Sequence, residues 1–180
     1  DIGLALGDFV TLKGDFGFQK QGDDLVAVAN NGSVQMQAGA MRVGVSDAGL
    51  GLHLRRDGGV ALEASGSLSL SGGGFAQATA QQVSVRYNTT GEAYTGQTLS
   101  AGVVSYTYVD LPASTHLQGI QIEDLQASFA DIFTLSGDFI FVKEGAEIHA
   151  RASDVSALLQ AGDMRVGVEN GVLGVIVHAD

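Results

Sequence analysis

Six acidic residues recur as three pairs at one fixed separation: Asp8 and Asp131, Asp15 and Asp138, Asp24 and Glu147. Hard carboxylate oxygens at turns are the ligands Ca2+ prefers. These six are therefore the candidate metal ligands, and calcium is the one cofactor the pattern suggests. Against it stands ordinary turn formation by Asp, because the glycine- and aspartate-rich nonapeptide of calcium β-rolls is absent. Other chemistry finds less support. The chain has no Cys, so a nucleophile triad would need Ser with a well-placed histidine and acid. His53, His149 and His178 face Ile176, Val26 and Arg55 at the same separation, and His116 lies alone in the unrepeated middle. Positions that exchange with apolar or cationic residues read as strand faces. The adjacent acids Asp23-Asp24 and Glu123-Asp124 are of the kind glycosidases use, but two neighbouring acids in a turn are normally solvated. Gly72-Gly73-Gly74 lacks the Lys and Ser/Thr of a phosphate loop. No catalytic residue is assigned, and no enzyme is expected.

Two weaker patterns concern recognition. Asn31-Gly32-Ser33 and Asn88-Thr89-Thr90 match the N-glycosylation acceptor, which arises often by chance in Ser/Thr-rich chains. Tyr87, Tyr94, Tyr106 and Tyr108 have the side chains of a sugar-binding strip, with strand-face packing as the plainer account.

What positions these residues is a repeat. Shifting the chain by 123 residues lays Thr11-Leu12-Lys13-Gly14-Asp15-Phe16 on Thr134-Leu135-Ser136-Gly137-Asp138-Phe139. The same shift lays Ala38 to Val45 on Ala161 to Val168. From Asp1/Asp124 to Asp57/Asp180, 24 of 57 pairs are identical, with no insertion. Residues 1–123 read as one complete unit and 124–180 as the first part of the next, in the same register. The expectation is an excerpt from a longer array, or one subunit whose ends are completed by neighbours, since arrays end in atypical capping units.

Apolar residues alternate with polar or small ones along Val10 to Phe18, Met41 to Val45, Leu50 to Leu54, Val83 to Tyr87 and Val104 to Tyr108. Period two is the pattern of a half-buried strand. Turn residues follow about every eight positions: Gly22-Asp23-Asp24, Asn30-Asn31-Gly32, Asp47-Ala48-Gly49, Asp57-Gly58-Gly59, Gly72-Gly73-Gly74 and Asn88 to Gly91. Leu125, Phe129, Ile132 and Phe133 have helical spacing, but their counterparts Ile2, Leu6, Phe9 and Val10 lack a helical stripe, so a strand or irregular link is expected. The fold class is all-β and elongated. A β-solenoid rod is favoured, because strand starts near Phe9, Leu25, Met41, Val60 and Ala76 recur every 16 to 19 residues. Tandem antiparallel sandwich beads are the alternative, since Gln21 to Asp24 and Asp57 to Gly59 make good hairpin turns.

Composition narrows the partners. A net charge of −11 repels phosphate backbones, so nucleic acid is a poor partner. No apolar run approaches the ~20 residues of a membrane-spanning helix, and membrane insertion is not expected. With 26 Gly, one Pro and only 16% charged residues, the chain has the make-up of long β structure. The first expected partner is itself, through adjacent repeats or subunits, and the second a glycan or cell-surface ligand.

Four segments carry a resemblance: the Gly-Asp-Phe strand, the Arg-Val-Gly-Val strand, Leu62-Glu63-Ala64-Ser65-Gly66-Ser67-Leu68-Ser69-Leu70, and Val85-Arg86-Tyr87-Asn88-Thr89-Thr90-Gly91. Together they resemble tandem β-rich repeats of very large secreted bacterial surface or adhesin-like proteins. The resemblance implies a structural extracellular polypeptide that builds a rod or self-assembling fibre, or an adhesin stalk or carbohydrate-binding module. It brings no catalytic residues with it.

Overall fold

The computed structural model describes residues 2–6, 10–38, 40–72, 76–130, 132–144 and 147–178. Among these there is no helix. Ten strands form one sheet: β1 (Ile2–Leu6), β2 (Val10–Gln21), β3 (Asp24–Ala38), β4 (Met41–Leu54), β5 (Val60–Gly72), β6 (Ala76–Asn88), β9 (Leu117–Phe129), β10 (Phe133–Glu144), β11 (Glu147–Ala161) and β12 (Met164–His178). They lie side by side in chain order, every neighbour antiparallel. Between β6 and β9 the chain leaves the sheet, makes the hairpin β7 (Thr98–Ala101) and β8 (Val104–Thr107), and returns. The segment of helical spacing is strand through Phe129, a turn at Ala130, and strand again from Phe133.

This meander corrects two expectations. The starts spaced 16 to 19 residues apart are real strand starts, but each strand reverses into the next, and the sheet does not close into the coils of a solenoid. A tight turn such as Gln21-Gly22-Asp23-Asp24, with Gly22 at φ 63°, joins antiparallel neighbours directly, whereas parallel ones need a longer crossover. Nor, among the described residues, does a second large sheet stack on the first to make a sandwich.

Two expected turns, Asn30-Asn31-Gly32 and Asp47-Ala48-Gly49, are bulges inside long strands. Asn31, Asp47, Asp124, Asp154 and Asn170 all have φ near +50°, where Asn and Asp are the best tolerated residues after Gly. Each sits at or beside a break in strand pairing. The extra residue reverses the phase of alternation: Ala27 and Ala29 share a face with Val34 and Met36, and Val43 and Val45 share it with Leu50 and Leu52. Without the bulge, half of each strand would turn its apolar set to the other side.

One face is consequently apolar over most of its area, with Gln118 and Lys143 opposite each other in the row beside Ile120 and Phe141. Phe16, Ala29, Leu50, Ala64, Val85, Ile120, Phe141, Ala150 and Val175 form one unbroken cross-strand row. Among the described residues nothing packs over this face; Phe141 and Ile120 remain more than 40% exposed. The opposite face is polar near Gln35, Gln37, Ser69, Ser71 and Thr79, and elsewhere carries the hairpin. The core proper lies under that hairpin: Val26, Val28, Ala61, Tyr94, Ala101, Tyr106, Tyr108 and Leu111.

The pairing has a period. Ile2 opposes Gly14 and Leu6 opposes Val10, as Leu125 opposes Gly137 and Phe129 opposes Phe133, 123 residues on. The bulge residues Asn31 and Asp47 are likewise matched by Asp154 and Asn170. From β1 to β9, where this pairing recurs, the sheet gains six strands, an advance of about 29 Å at ~4.8 Å per strand.

Candidate functional site

The buried polar groups of the chain converge where residues 89–116 fold back onto the sheet. Three glycines make the seat. Gly17 lies directly beneath Ala101, and a Cβ on Gly49 would stand 2.8 Å from the Tyr106 ring, which also covers Gly51. Any side chain at these points would lift the hairpin, so the close approach requires glycine. Tyr106 and Tyr108 meet edge to face at 5.7 Å, Tyr108 and Tyr94 at 5.3 Å, and His53 packs its edge on Tyr94. Such pairs add ~1 kcal/mol each beyond their buried area.

Beside the tyrosines stand Glu63 on β5 and Arg86 on β6, directly opposite each other in register. Glu63 is 2% exposed. Its carboxylate accepts hydrogen bonds from the Tyr106 hydroxyl at 2.8 Å, the Val109 amide at 2.7 Å and the Asp110 amide at 2.9 Å. One buried charge thus fixes both the hairpin and the chain leaving it. Arg86 donates to the Asp110 carboxylate and to Gln121 Oε1, while its Nε is buried with no hydrogen-bond partner. Asn88, fully buried, closes the base of the excursion. Its amide donates to the Glu92 and Pro112 carbonyls at 2.8 and 2.7 Å, and its Oδ1 accepts from Thr90.

These groups hold the excursion on the sheet. Burial, then the hydrogen bond to Glu63, pushes the Tyr106 phenol well above its ordinary value of 10. Burial does the same to Tyr108. Both stay neutral and protonated, and neither is a ready base or nucleophile. A notch of about 140 Å3 opens beside Glu63, Arg86, Asp110 and Glu123. Its carboxylates oppose an anion and its guanidinium opposes a cation.

The expected site residues fall elsewhere and apart. Asp8 and Asp131 lie outside the described residues. Asp138 accepts the Asp124 amide at 2.8 Å across a bulge, while Asp15 accepts from the Asn31 side chain on the following strand. Asp24 accepts from the Arg56 amide and from His53, contacts that hold its carboxyl below the ordinary 3.8. Glu147 pairs with His149 and His178. Among the described residues, no three His, Asp or Glu side chains are grouped as a metal site would need. Of the four tyrosines, Tyr94, Tyr106 and Tyr108 are buried together, and Tyr87 belongs to the other face, so they form no exposed strip. Asn88 is buried with both amide hydrogens used, which denies it to a glycosyl transferase in the folded chain.

Sequence reasoning gave Glu63 and Arg86 no role and read Asn88 only as a glycosylation acceptor or turn residue, yet these are the buried polar residues among those described. A signal was present: Glu63 is a lone acid between Leu62 and Ala64 in an otherwise uncharged strand, and such an acid needs a buried partner.

No family model, curated protein or solved structure matches this chain.

Proposed function

We propose that the protein is a structural repeat element of an extracellular or cell-surface bacterial assembly, building a rod or fibre by continuing its sheet from unit to unit. The observation that carries this reading is the sheet itself. Among the described residues, no strand pairs with the outer edge of β1 or of β12. An unpaired edge is a template for another strand. Where one unit follows another, six strands are added in the same register and the strands run across the long axis. Each unit gains stability from its neighbour without new chemistry, the economy of repeat arrays.

The alternative, an adhesin stalk or carbohydrate-binding module, would use Tyr and Asp side chains, and it draws less support here because three of the four tyrosines are buried. Electron microscopy tests the structural reading. Rods or filaments lengthening by about 29 Å per unit are expected; monodisperse globules from chains of several units would overturn it.

A further inference from the structure

The apolar face needs an occupant, since a sheet with one hydrophobic face is stable only when that face is buried. We infer that a second copy of this chain covers it, the two sheets pairing face to face with their hairpins outward. Three observations lead there.

The first is size. Ten strands about 4.8 Å apart and about 12 residues long present on the order of 1,700 Å2, about twice the ~800 Å2 per partner of a stable interface. The second is what the two copies of the repeat keep. On this face Phe16, Phe18, Ala27, Ala29, Val43, Val45 and Leu50 meet identical residues 123 positions on. On the hairpin side Gly17, Val26, Val28 and His53 meet Ile140, His149, Arg151 and Ile176. Where the uncovered face differs it exchanges one apolar residue for another, as at Leu25/Ile148, Val34/Ala157, Met36/Leu159 and Leu52/Val175, whereas Val26 and Val28 exchange with His149 and Arg151, as expected if an apolar partner lies along the uncovered face.

The third observation is relief, and it selects the geometry. Phenylalanines make ridges on β2 and β10, and each ridge is followed by an alanine trough, Ala27 and Ala29 on β3, Ala150 and Ala152 on β11. In spatial order the ridges are strands two and eight and the troughs strands three and nine. A two-fold axis parallel to the strands, between β5 and β6, sends strand two onto nine and eight onto three. In the row that Phe16, Ala29, Phe141 and Ala150 share, Phe16 of each copy then meets Ala150 of the other and Phe141 meets Ala29, the reciprocal contact an isologous dimer requires. Lipid, the other candidate occupant, has no use for paired ridges and troughs.

This pairing goes beyond the proposed fibre and is tested apart from it. Val85 and Ile120 stand opposite each other near that axis, 40% and 44% exposed. Sedimentation velocity of the chain should show a dimer, and Val85→Glu with Ile120→Glu should weaken it more than tenfold, because each buries an unpaired charge. Phe141→Ser serves as a second, uncharged disruption, and Ser71→Glu on the polar face should leave the dimer intact, with circular dichroism reporting unchanged strand content in all. A wild-type chain that stays monomeric, or that binds phosphatidylglycerol vesicles and loses them with Val85→Glu, would overturn the inference. Dimers that form no filaments would sink the fibre reading alone; single-layer filaments would sink the pairing alone.

Discussion

Strands β2–β4 and β10–β12 carry related sequences and the same bulges, yet they live in different surroundings. Val26 and Val28 on β3 are 0% and 1% exposed beneath the hairpin. Their counterparts on β11 are His149 and Arg151. The difference comes from a segment far away in sequence. Residues 89–116 lie over the first set of strands, and the residues they touch have become small, apolar or hydrogen-bonding. Where Gly17 admits Ala101, the later copy has Ile140, so a hairpin seated in the same way would collide there. The comparison teaches that strand formation and face assignment need only local pattern, whereas a core here is made by one non-local excursion.

The sharpest way to break the contrast is to remove the aromatic keystone. Tyr106→Ala should cost about 3–5 kcal/mol, because it empties the cluster and strips Glu63 of a donor; Val172→Ala, at the position matching Gly49, should cost less than about 0.5 kcal/mol. Urea denaturation followed by circular dichroism reads both. Next comes Glu63→Ala. With two backbone amides and a phenol losing their acceptor, about 2–3 kcal/mol is expected, with amide exchange rising first at Val109 and Asp110.

A smaller effect tests the seat. Gly17→Val should cost about 1–3 kcal/mol by overpacking against Ala101, and faster exchange across β7 and β8 should report the lifted hairpin. The equivalent residue is already branched in the second copy, so Ile140→Val should leave that exchange unchanged. The smallest effect is electrostatic. The Asp24 carboxyl is held below its ordinary value first by the Arg56 amide and then by His53. Its contribution is therefore complete above the usual carboxylate range near 3.8 and is lost as pH falls below it. Asp24→Asn should flatten that acid limb of a thermal melt; an unchanged limb would remove the role given to this contact.

Much of the sheet was legible. Period-two alternation located the strands, and the starts near Leu25, Met41, Val60 and Ala76 agree with β3 to β6. The turns at Gly22 and Gly58 were read correctly, since Gly with positive φ reverses a chain. Asn31 and Asp47 were misread as turns because the same left-handed residue serves a hairpin or a bulge. What distinguishes them is whether alternation resumes with its phase reversed, as it does from Ala29 to Val34. The tyrosine site was the least legible part, because Glu63, Arg86 and Tyr106 come together only through pairings that span tens of residues.

The sequence alone therefore determined an all-β chain with a 123-residue register and strands of fixed amphipathic phase, because alternation and φ preference are properties of neighbours along the chain. Only the tertiary structure decided that the strands run as one open meander and that a hairpin covers part of one face. Those outcomes depend on which distant surfaces meet, and local pattern is the same for a solenoid, a sandwich or a sheet. The six recurrent acids belong to both levels: their spacing was written in the repeat, and the fold set four of them, Asp15, Asp24, Asp138 and Glu147, at separate bulges, turns and ion pairs.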